Sequence, residues 1–200
     1  MKKLLLTGFE PFGGERINPA LEAVRSVKNT IGSLQIVKLQ VPVVYREAGR
    51  VVCEAMEKEK PDAIICIGQA GGRDAVTPER VAINVMDAAS PDNAGQVMTD
   101  ELIETDGPAA YFATLPVKQM VKSVQEKAIP CRISNTAGTY VCNSLIYDVL
   151  HYARRNMPHV KACFIHVPHI PEQTQDKPQM PSLPLEKIVE AIEAIIENCL

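Results

Sequence analysis

The feature that most constrains the fold is Ala63–Gly68, a run of six residues without a polar side chain. A continuous apolar run of this length suits a strand at the centre of a parallel sheet, where both faces are covered. It lies among segments whose apolar residues recur at helical spacing. Strands and helices of this kind alternate along the chain, and that alternation predicts an α/β fold.

Short apolar or alternating segments predict further strands at 4–7, 34–44, 81–85, 131–134 and 162–166. Helical spacing predicts helices over 18–28, 46–58, 116–127, 142–155 and 185–199. We therefore predict a three-layer α/β/α sandwich with a largely parallel, mixed central sheet. The stretches 87–107 and 168–184 are predicted to be long loops, because the first is polar and the second holds five prolines. Long ordered loops in a compact domain are usually functional.

The bulk properties exclude several classes of protein. The 200 residues predict one domain over 1–200. The formal net charge of −3 argues against binding to nucleic acid or to an anionic membrane. No apolar run reaches the roughly 18 residues of a membrane span. Lys2–Leu6 resembles the start of a secretory signal, but Gly8, Glu10 and Pro11 interrupt it, so we expect the first strand of a cytoplasmic protein.

The six cysteines show no CxxC pair and no metal-binding spacing with histidine; they are Cys53, Cys66, Cys131, Cys142, Cys163 and Cys199. Most of them lie within apolar runs, where a free cysteine packs as a small hydrophobic residue. We therefore expect reduced thiols rather than a disulfide framework or a metal site.

The loop after the first strand, "TGFEPFGGE" at 7–15, resembles a phosphate-binding loop only in its glycines. Gly8 and Gly13 have the required spacing, but the lysine that would meet a phosphate is missing, and two nearby carboxylates would repel the anion. What remains is a pair of aromatic residues, Phe9 and Phe12. They would either sandwich a small flat neutral group or plug the end of the sheet as core.

Cys142 opens a predicted helix in "SNTAGTYVCNSLIYDVLH" at 134–151. The exposed amides and dipole at a helix start favour an anion, so a thiolate is expected to be stabilised there. The alternative is an ordinary buried cysteine.

Two histidines compete for the role of base toward a thiol. His166 ends a predicted strand, and ligands gather at the carboxyl ends of strands in open α/β sheets. His169 lies three residues further on, in the loop. Such a base needs a carboxylate to orient its ring, and Glu79 at the start of a strand is a candidate. Other acidic residues are equally possible from these patterns alone, namely Asp74, Asp87 and Asp92.

Taken together, these segments resemble pyroglutamyl-peptidase type I, also called pyrrolidone-carboxylate peptidase. The resemblance rests on an ordered set of motifs between residues 5 and 173: "LLTGFEPFGG" with "NPA", "GQAGGR", "ERVAIN", "PDN", "SNTAGTYVCN" and "IHVPHIPEQ". No single motif is decisive, whereas the ordered set is specific.

The resemblance implies a cytosolic thiol exopeptidase that removes N-terminal pyroglutamate (5-oxoproline) from peptides, uses no metal or cofactor and forms a homo-oligomer (dimer or tetramer). It implies that Cys142 is the nucleophile, His166 the base and Glu79 the residue that orients it. The implied substrate-binding residues are Phe9, Phe12, Asn18, Gln69, Gly71, Tyr140 and Val141. A small apolar slot of this kind would exclude glutamate, whose charge would be desolvated without a partner.

The sequence departs from the family's pattern at two positions near the expected site. Ala89 stands where many members carry arginine or lysine, and Tyr140 stands where phenylalanine is common. The first change puts the stabilisation of an oxyanion in doubt, and the second adds a hydroxyl that needs a partner. Ala89 keeps open the alternative of a catalytically weakened pyroglutamyl-binding protein of the same fold. A nucleoside phosphorylase-like enzyme of related fold is a second alternative, and the lack of a basic glycine loop argues against it.

Overall fold

A computed structural model describes residues 2–199 as a six-stranded sheet with helices on both faces. The sheet strands are β1 (Lys2–Phe9), β2 (Thr30–Ile31), β3 (Leu34–Val41), β4 (Ala63–Gln69), β5 (Thr77–Pro78) and β8 (Lys161–Val167). Across the sheet their order is β2-β3-β1-β4-β8-β5. The four long strands pair in parallel, and the two short edge strands are antiparallel. The sheet is therefore mixed and largely parallel, as predicted.

The helices are α1 (Pro19–Ser26), α2 (Glu47–Glu59), α3 (Val117–Gln125), α4 (Val141–Asn156) and α5 (Leu185–Glu197). Successive side chains of a strand point to opposite faces. Leu4 and Leu6 accordingly pack with α1, α3 and α5, whereas Leu5 packs with α2 and α4. This gives the three-layer α/β/α sandwich, with one hydrophobic core on each side of the sheet.

Asn18 caps α1 as its sequence indicates: its side chain accepts a hydrogen bond from the backbone amide of Ala20, and Pro19 occupies the first helical position. Gly8 lets this helix approach β1 closely, since a Cβ there would lie 2.9 Å from Cα of Leu21.

In the described part of the chain, no helix combines the length and apolarity that crossing a membrane requires.

The short segments differ most from the prediction. The predicted strand at 131–134 is wrong: Cys131 and Ser134 make only isolated bridges. The predicted strand at 81–85 shortens to β6 (Val81–Ile83), which pairs with β7 (Ala110–Phe112) in a separate small sheet. The proline-rich stretch contains one 3-10 turn, Pro171–Gln173. Strands of two or three residues are too short for a periodic pattern, so long-range pairing decides them.

Candidate active site

The carboxyl ends of β1, β4 and β8 meet the start of α4 around a cavity of about 240 Å³. Ligands of open α/β sheets bind at this edge. The cavity is lined by Phe9, Phe12, Asn18, Val43, Gln69, Gly71, Ala137, Tyr140, Cys142 and His166. The fold thus gathers, around one small space, residues that lie up to 157 positions apart along the chain, from Phe9 to His166.

Cys142 is the second residue of α4, and its sulfur lies directly above Gly68 of β4. A Cβ at Gly68 would be 3.2 Å from this sulfur and 2.6 Å from Cζ of Phe164, so only glycine leaves room for both. In the sheet register Gly68 pairs with His166 of the neighbouring strand. The thiol and the imidazole therefore share one wall of the cavity.

His166 is held by a buried carboxylate. Its Nδ1 donates to Oε1 of Glu79 over 2.7 Å, and the Glu79 side chain is 2% exposed. The amide of Glu79 donates to the carbonyl of Phe164, and this contact fixes the carboxylate beside β8. Because Nδ1 carries the proton, Nε2 is left as the nitrogen that can accept one.

Arg73 is a residue of the site that the sequence analysis missed. Its Nη1 contacts Oε1 of Glu79 at 2.7 Å and also bonds the hydroxyl of Thr77, and Nη2 donates to the carbonyl of Thr136. One carboxylate oxygen thus receives both the guanidinium and the imidazole. The available signal was its position in "GQAGGR", directly after the end of β4.

Burial favours the uncharged forms of the Cys142 thiol and the His166 imidazole. It raises the pKa of the Cys142 thiol to about 12, and the charge of Glu79 acts in the same direction. Arg73 and the backbone amide of Cys142 oppose this shift without cancelling it. Burial also lowers the pKa of His166 below its usual value, although the hydrogen bond that His166 donates to Glu79 acts in the opposite direction. The stabilised thiolate expected at the helix start is not found, because desolvation outweighs Arg73 and the backbone amide of Cys142.

The remaining walls of the cavity are aromatic and apolar, with two amide side chains. The Phe9 ring lies 6.3 Å from that of Phe164, and the Phe12 ring lies 6.5 Å from that of Tyr140. The amides belong to Asn18 and Gln69, which are 1% and 9% exposed. Such a lining suits a small neutral ring with a few polar atoms.

Val141 does not lie where the prediction put it. It is fully buried in the core between the sheet and α4, and its neighbours Tyr140 and Cys142 reach the cavity instead. Adjacent helical residues are turned by about 100°, so all three cannot face one small space.

The added hydroxyl of Tyr140 has a partner: it donates to the carbonyl of Pro91 over 2.9 Å. Pro91 belongs to the loop at 87–101, which Asp92 holds in place by accepting from the amides of Tyr45, Ala94 and Gln96. Tyr140 thereby ties the start of α4 to this loop. Ala89, on the same loop, is exposed.

The competing residues take other positions. Asp74 forms a surface ion pair with Arg132, and Asp92 organises its loop. His169 bonds Gln69 instead of a carboxylate. Glu10 ties the glycine loop to two other segments, since its carboxylate accepts from the amide of Val43 and from Asn93.

Within residues 2–199 one group of side chains has metal-ligand spacing: Glu104, Asp106 and His151, away from the cavity. The guanidinium of Arg155 already contacts both Asp106, at 3.0 Å, and Nε2 of His151, at 3.1 Å. A permanent cation thus already pairs with two of the three donors.

A family model described as pyroglutamyl peptidase matches residues 2–200. The pyrrolidone-carboxylate peptidase of Streptococcus suis is 49% identical over 194 residues, which cover 97% of this chain and 90% of that protein. The pyrrolidone-carboxylate peptidase of Enterococcus faecalis is also 49% identical, over 98% of this chain and 92% of its own length.

Solved structures agree with these matches. The crystal structure of pyroglutamyl peptidase I from Bacillus amyloliquefaciens superposes with a TM-score of 0.96 at 48% identity, covering all of this chain and 97% of that one. A mutant pyrrolidone carboxyl peptidase from Pyrococcus furiosus superposes with a TM-score of 0.93 at 43% identity, covering 98% and 96%.

Proposed function

This chain belongs to the pyroglutamyl peptidase family of cysteine peptidases, and we propose that Cys142, His166 and Glu79 carry out its acyl transfer on peptides that begin with pyroglutamate. The observation that carries the proposal is the 2.7 Å contact between His166 Nδ1 and Glu79 Oε1, with His166 and Cys142 lining the same cavity. It supports a triad in which the imidazole takes the thiol proton and the carboxylate orients the imidazole.

The reaction begins from a neutral thiol and a neutral imidazole. His166 takes the thiol proton as the Cys142 sulfur attacks the pyroglutamyl carbonyl, and Glu79 stabilises the imidazolium that forms. The imidazolium then protonates the leaving amine, the peptide departs, and an acyl-enzyme remains. Water, deprotonated by His166, attacks the thioester and releases 5-oxoproline.

The tetrahedral intermediate needs donors for its negative oxygen. Tyr140, at the N-cap of α4, makes no side-chain capping bond, so the first amides of the helix are not capped. The amide of Cys142 and those of the Gly71-Gly72 turn are the candidate donors. One such donor typically lowers the barrier by about 2.7–4 kcal/mol. These backbone groups would serve in the absence of a basic side chain at Ala89.

Recognition rests on the lining of the cavity. Pyroglutamate has no free α-amine, because that nitrogen is part of the lactam. The lactam ring offers a flat apolar surface with one amide edge. Phe9, Phe12 and Tyr140 supply aromatic surface, and Asn18 and Gln69 supply polar atoms. An ionised glutamate in this space would lose hydration without gaining a counter-charge.

Hydrolysis of pyroglutamyl-β-naphthylamide tests the proposal. Cys142→Ser and Cys142→Ala should lower kcat by on the order of 10³-fold or more. Cys53→Ser is the matched control, because Cys53 is a half-buried thiol on α2 that lines a different cavity. Equal activity of the Cys142 variants and the unsubstituted enzyme would refute the assigned nucleophile.

The same assay separates the alternatives. A weakened binding protein would gain thermal stability from 5-oxoproline but would not hydrolyse the substrate. A phosphorylase-like enzyme would require phosphate.

We further propose that the protein is a cytoplasmic homo-oligomer (dimer or tetramer). Light scattering coupled to gel filtration measures the number of subunits directly.

A further inference from the structure

A chain of buried polar side chains runs back from the wall of the cavity, and only its first member, Gln69, takes part in the recognition described above. It consists of Gln69, His169 and Gln173, each less than a tenth exposed. We propose that His169 and Gln173 are positioning residues that lock the Gln69 amide in one orientation, so that it presents an N–H to the lactam carbonyl of the substrate. This inference rests on the proposed function.

The orientation of the Gln173 side-chain amide follows from its contact with a backbone N–H, which can only donate a hydrogen bond. The amide of Ile170 donates to Oε1 of Gln173 over 3.2 Å. The Nε2 of Gln173 must therefore lie on the opposite side of its side-chain amide. There it donates to Oε1 of Gln69 at 3.3 Å and to the carbonyl of Ile17 at 3.5 Å.

The orientation of Gln173 fixes that of Gln69. Because the oxygen of Gln69 accepts from Gln173, its Nε2 faces His169, and it lies 2.7 Å from Nδ1. A donor at that distance requires Nδ1 to be an acceptor, so His169 is neutral with its proton on Nε2. The other neighbour of Nδ1, Oε1 of Gln173, is further away at 3.3 Å and already accepts from Ile170.

The His169 ring is held in place by close packing. A Cβ on Gly71 would lie 2.7 Å from Nε2 of His169, so the glycine leaves room for the imidazole. His169, which its sequence position made a rival base, instead lies against the binding wall.

The fixed orientation determines which atom Gln69 presents to the cavity. The Nε2 of Gln69 has two hydrogens, and only one of them bonds His169 within residues 2–199. The second is available to an acceptor, and the lactam carbonyl is the acceptor that distinguishes pyroglutamate from proline. A freely rotating amide would offer oxygen and nitrogen alike and would discriminate less.

Three variants test this relay. His169→Leu removes the acceptor, and His169→Asn supplies an amide oxygen near the place of Nδ1. Gln173→Glu keeps the acceptor for Ile170 but removes the donor to Gln69, so the Gln69 amide must turn around. We expect His169→Leu and Gln173→Glu to raise KM for pyroglutamyl-β-naphthylamide about tenfold and to leave kcat within about twofold. The KM of His169→Asn should stay near that of the unsubstituted enzyme.

Binding without chemistry gives the second readout. The inhibition constant of 2-pyrrolidone, the bare lactam ring, should rise by the same factor as KM in His169→Leu and Gln173→Glu. Unchanged KM and inhibition constants in both variants would overturn the proposal, as would a loss confined to kcat. Circular dichroism and the melting temperature identify a variant that fails to fold, and the other variant then carries the test.

The tautomer gives a readout that does not depend on activity. In ¹⁵N correlation spectra of the histidine rings, His169 should be neutral with its proton on Nε2; the signal is assigned by its loss in His169→Asn. In Gln173→Glu the Nδ1 should carry a proton. A proton on Nδ1 in the unsubstituted protein would overturn the relay. If that protein hydrolyses no pyroglutamyl substrate, the proposed function fails, while the tautomer result still judges the relay.

Discussion

At the scale of single residues, the pKa of His166 depends on two charged neighbours that shift it in opposite directions. Burial lowers the pKa of the imidazole, the hydrogen bond and charge of Glu79 raise it, and Arg73 lowers it again. Because the proposed mechanism needs a neutral imidazole, activity should persist below pH 6.5, the ordinary histidine value, and fall as the pH drops through the lowered pKa.

Glu79→Gln should move this acidic limb of kcat/KM to lower pH and reduce activity on the order of 10²-fold. The shift follows because the neutral amide no longer raises the pKa of His166, and the loss follows because it no longer stabilises the imidazolium. The pH profile of pyroglutamyl-β-naphthylamide hydrolysis measures both. Arg73→Met is the opposing control and should move the limb to higher pH. Shifts in the same direction for the two variants would contradict this electrostatic account.

At the scale of elements, the packing of α2 on α4 depends on one glycine. A Cβ on Gly49 would overlap Oδ2 of Asp148 and lie 2.7 Å from its Cβ. This contact brings the two helices together on the face of the sheet that also carries Cys142.

Gly49→Ala should therefore destabilise the protein. In an unhindered helix this change adds about 0.5–1 kcal/mol of stability, but overpacking of this kind typically costs about 1–3 kcal/mol. Chemical denaturation measures the difference in the free energy of unfolding. Asp148→Ala removes two of the three overlapping atoms, so the double variant should recover part of the loss. A Gly49→Ala protein as stable as the parent would show that the helices shift apart freely.

At the scale of the whole molecule, Asp148 makes stability depend on pH. Burial raises the pKa of its carboxyl to about 7, and Glu104 adds to the shift while Arg46 opposes it. A raised pKa in the folded state means that ionisation disfavours folding. The cost is absent below about pH 4, grows between pH 4 and 7, and is complete above pH 7.

Asp148→Asn should remove this cost and raise stability at pH 8 by up to about 4 kcal/mol, or about 8–16 °C in Tm, with little effect at pH 4. Thermal unfolding at pH 4, 6 and 8 measures the trend. His166 also responds to pH, but it does so equally in both proteins, so their difference isolates Asp148. A gain that is the same at every pH would instead reflect packing alone.

The sequence by itself determined the features that depend on neighbours along the chain. The apolar run Ala63–Gly68 specified the central strand β4, and Asn18-Pro19 specified the start of α1. The position of Cys142 at the beginning of a helix followed from the same local pattern. These features need only backbone geometry and side-chain spacing, which neighbouring residues set.

Only the tertiary structure decided the features that depend on distant residues. It brought Glu79, and not Asp74 or Asp92, to His166, and it placed Arg73 on the same carboxylate oxygen. It buried Val141 and gave His169 to Gln69. It also kept the Cys142 thiol protonated, because the desolvation that raises its pKa comes from packing between elements far apart in sequence.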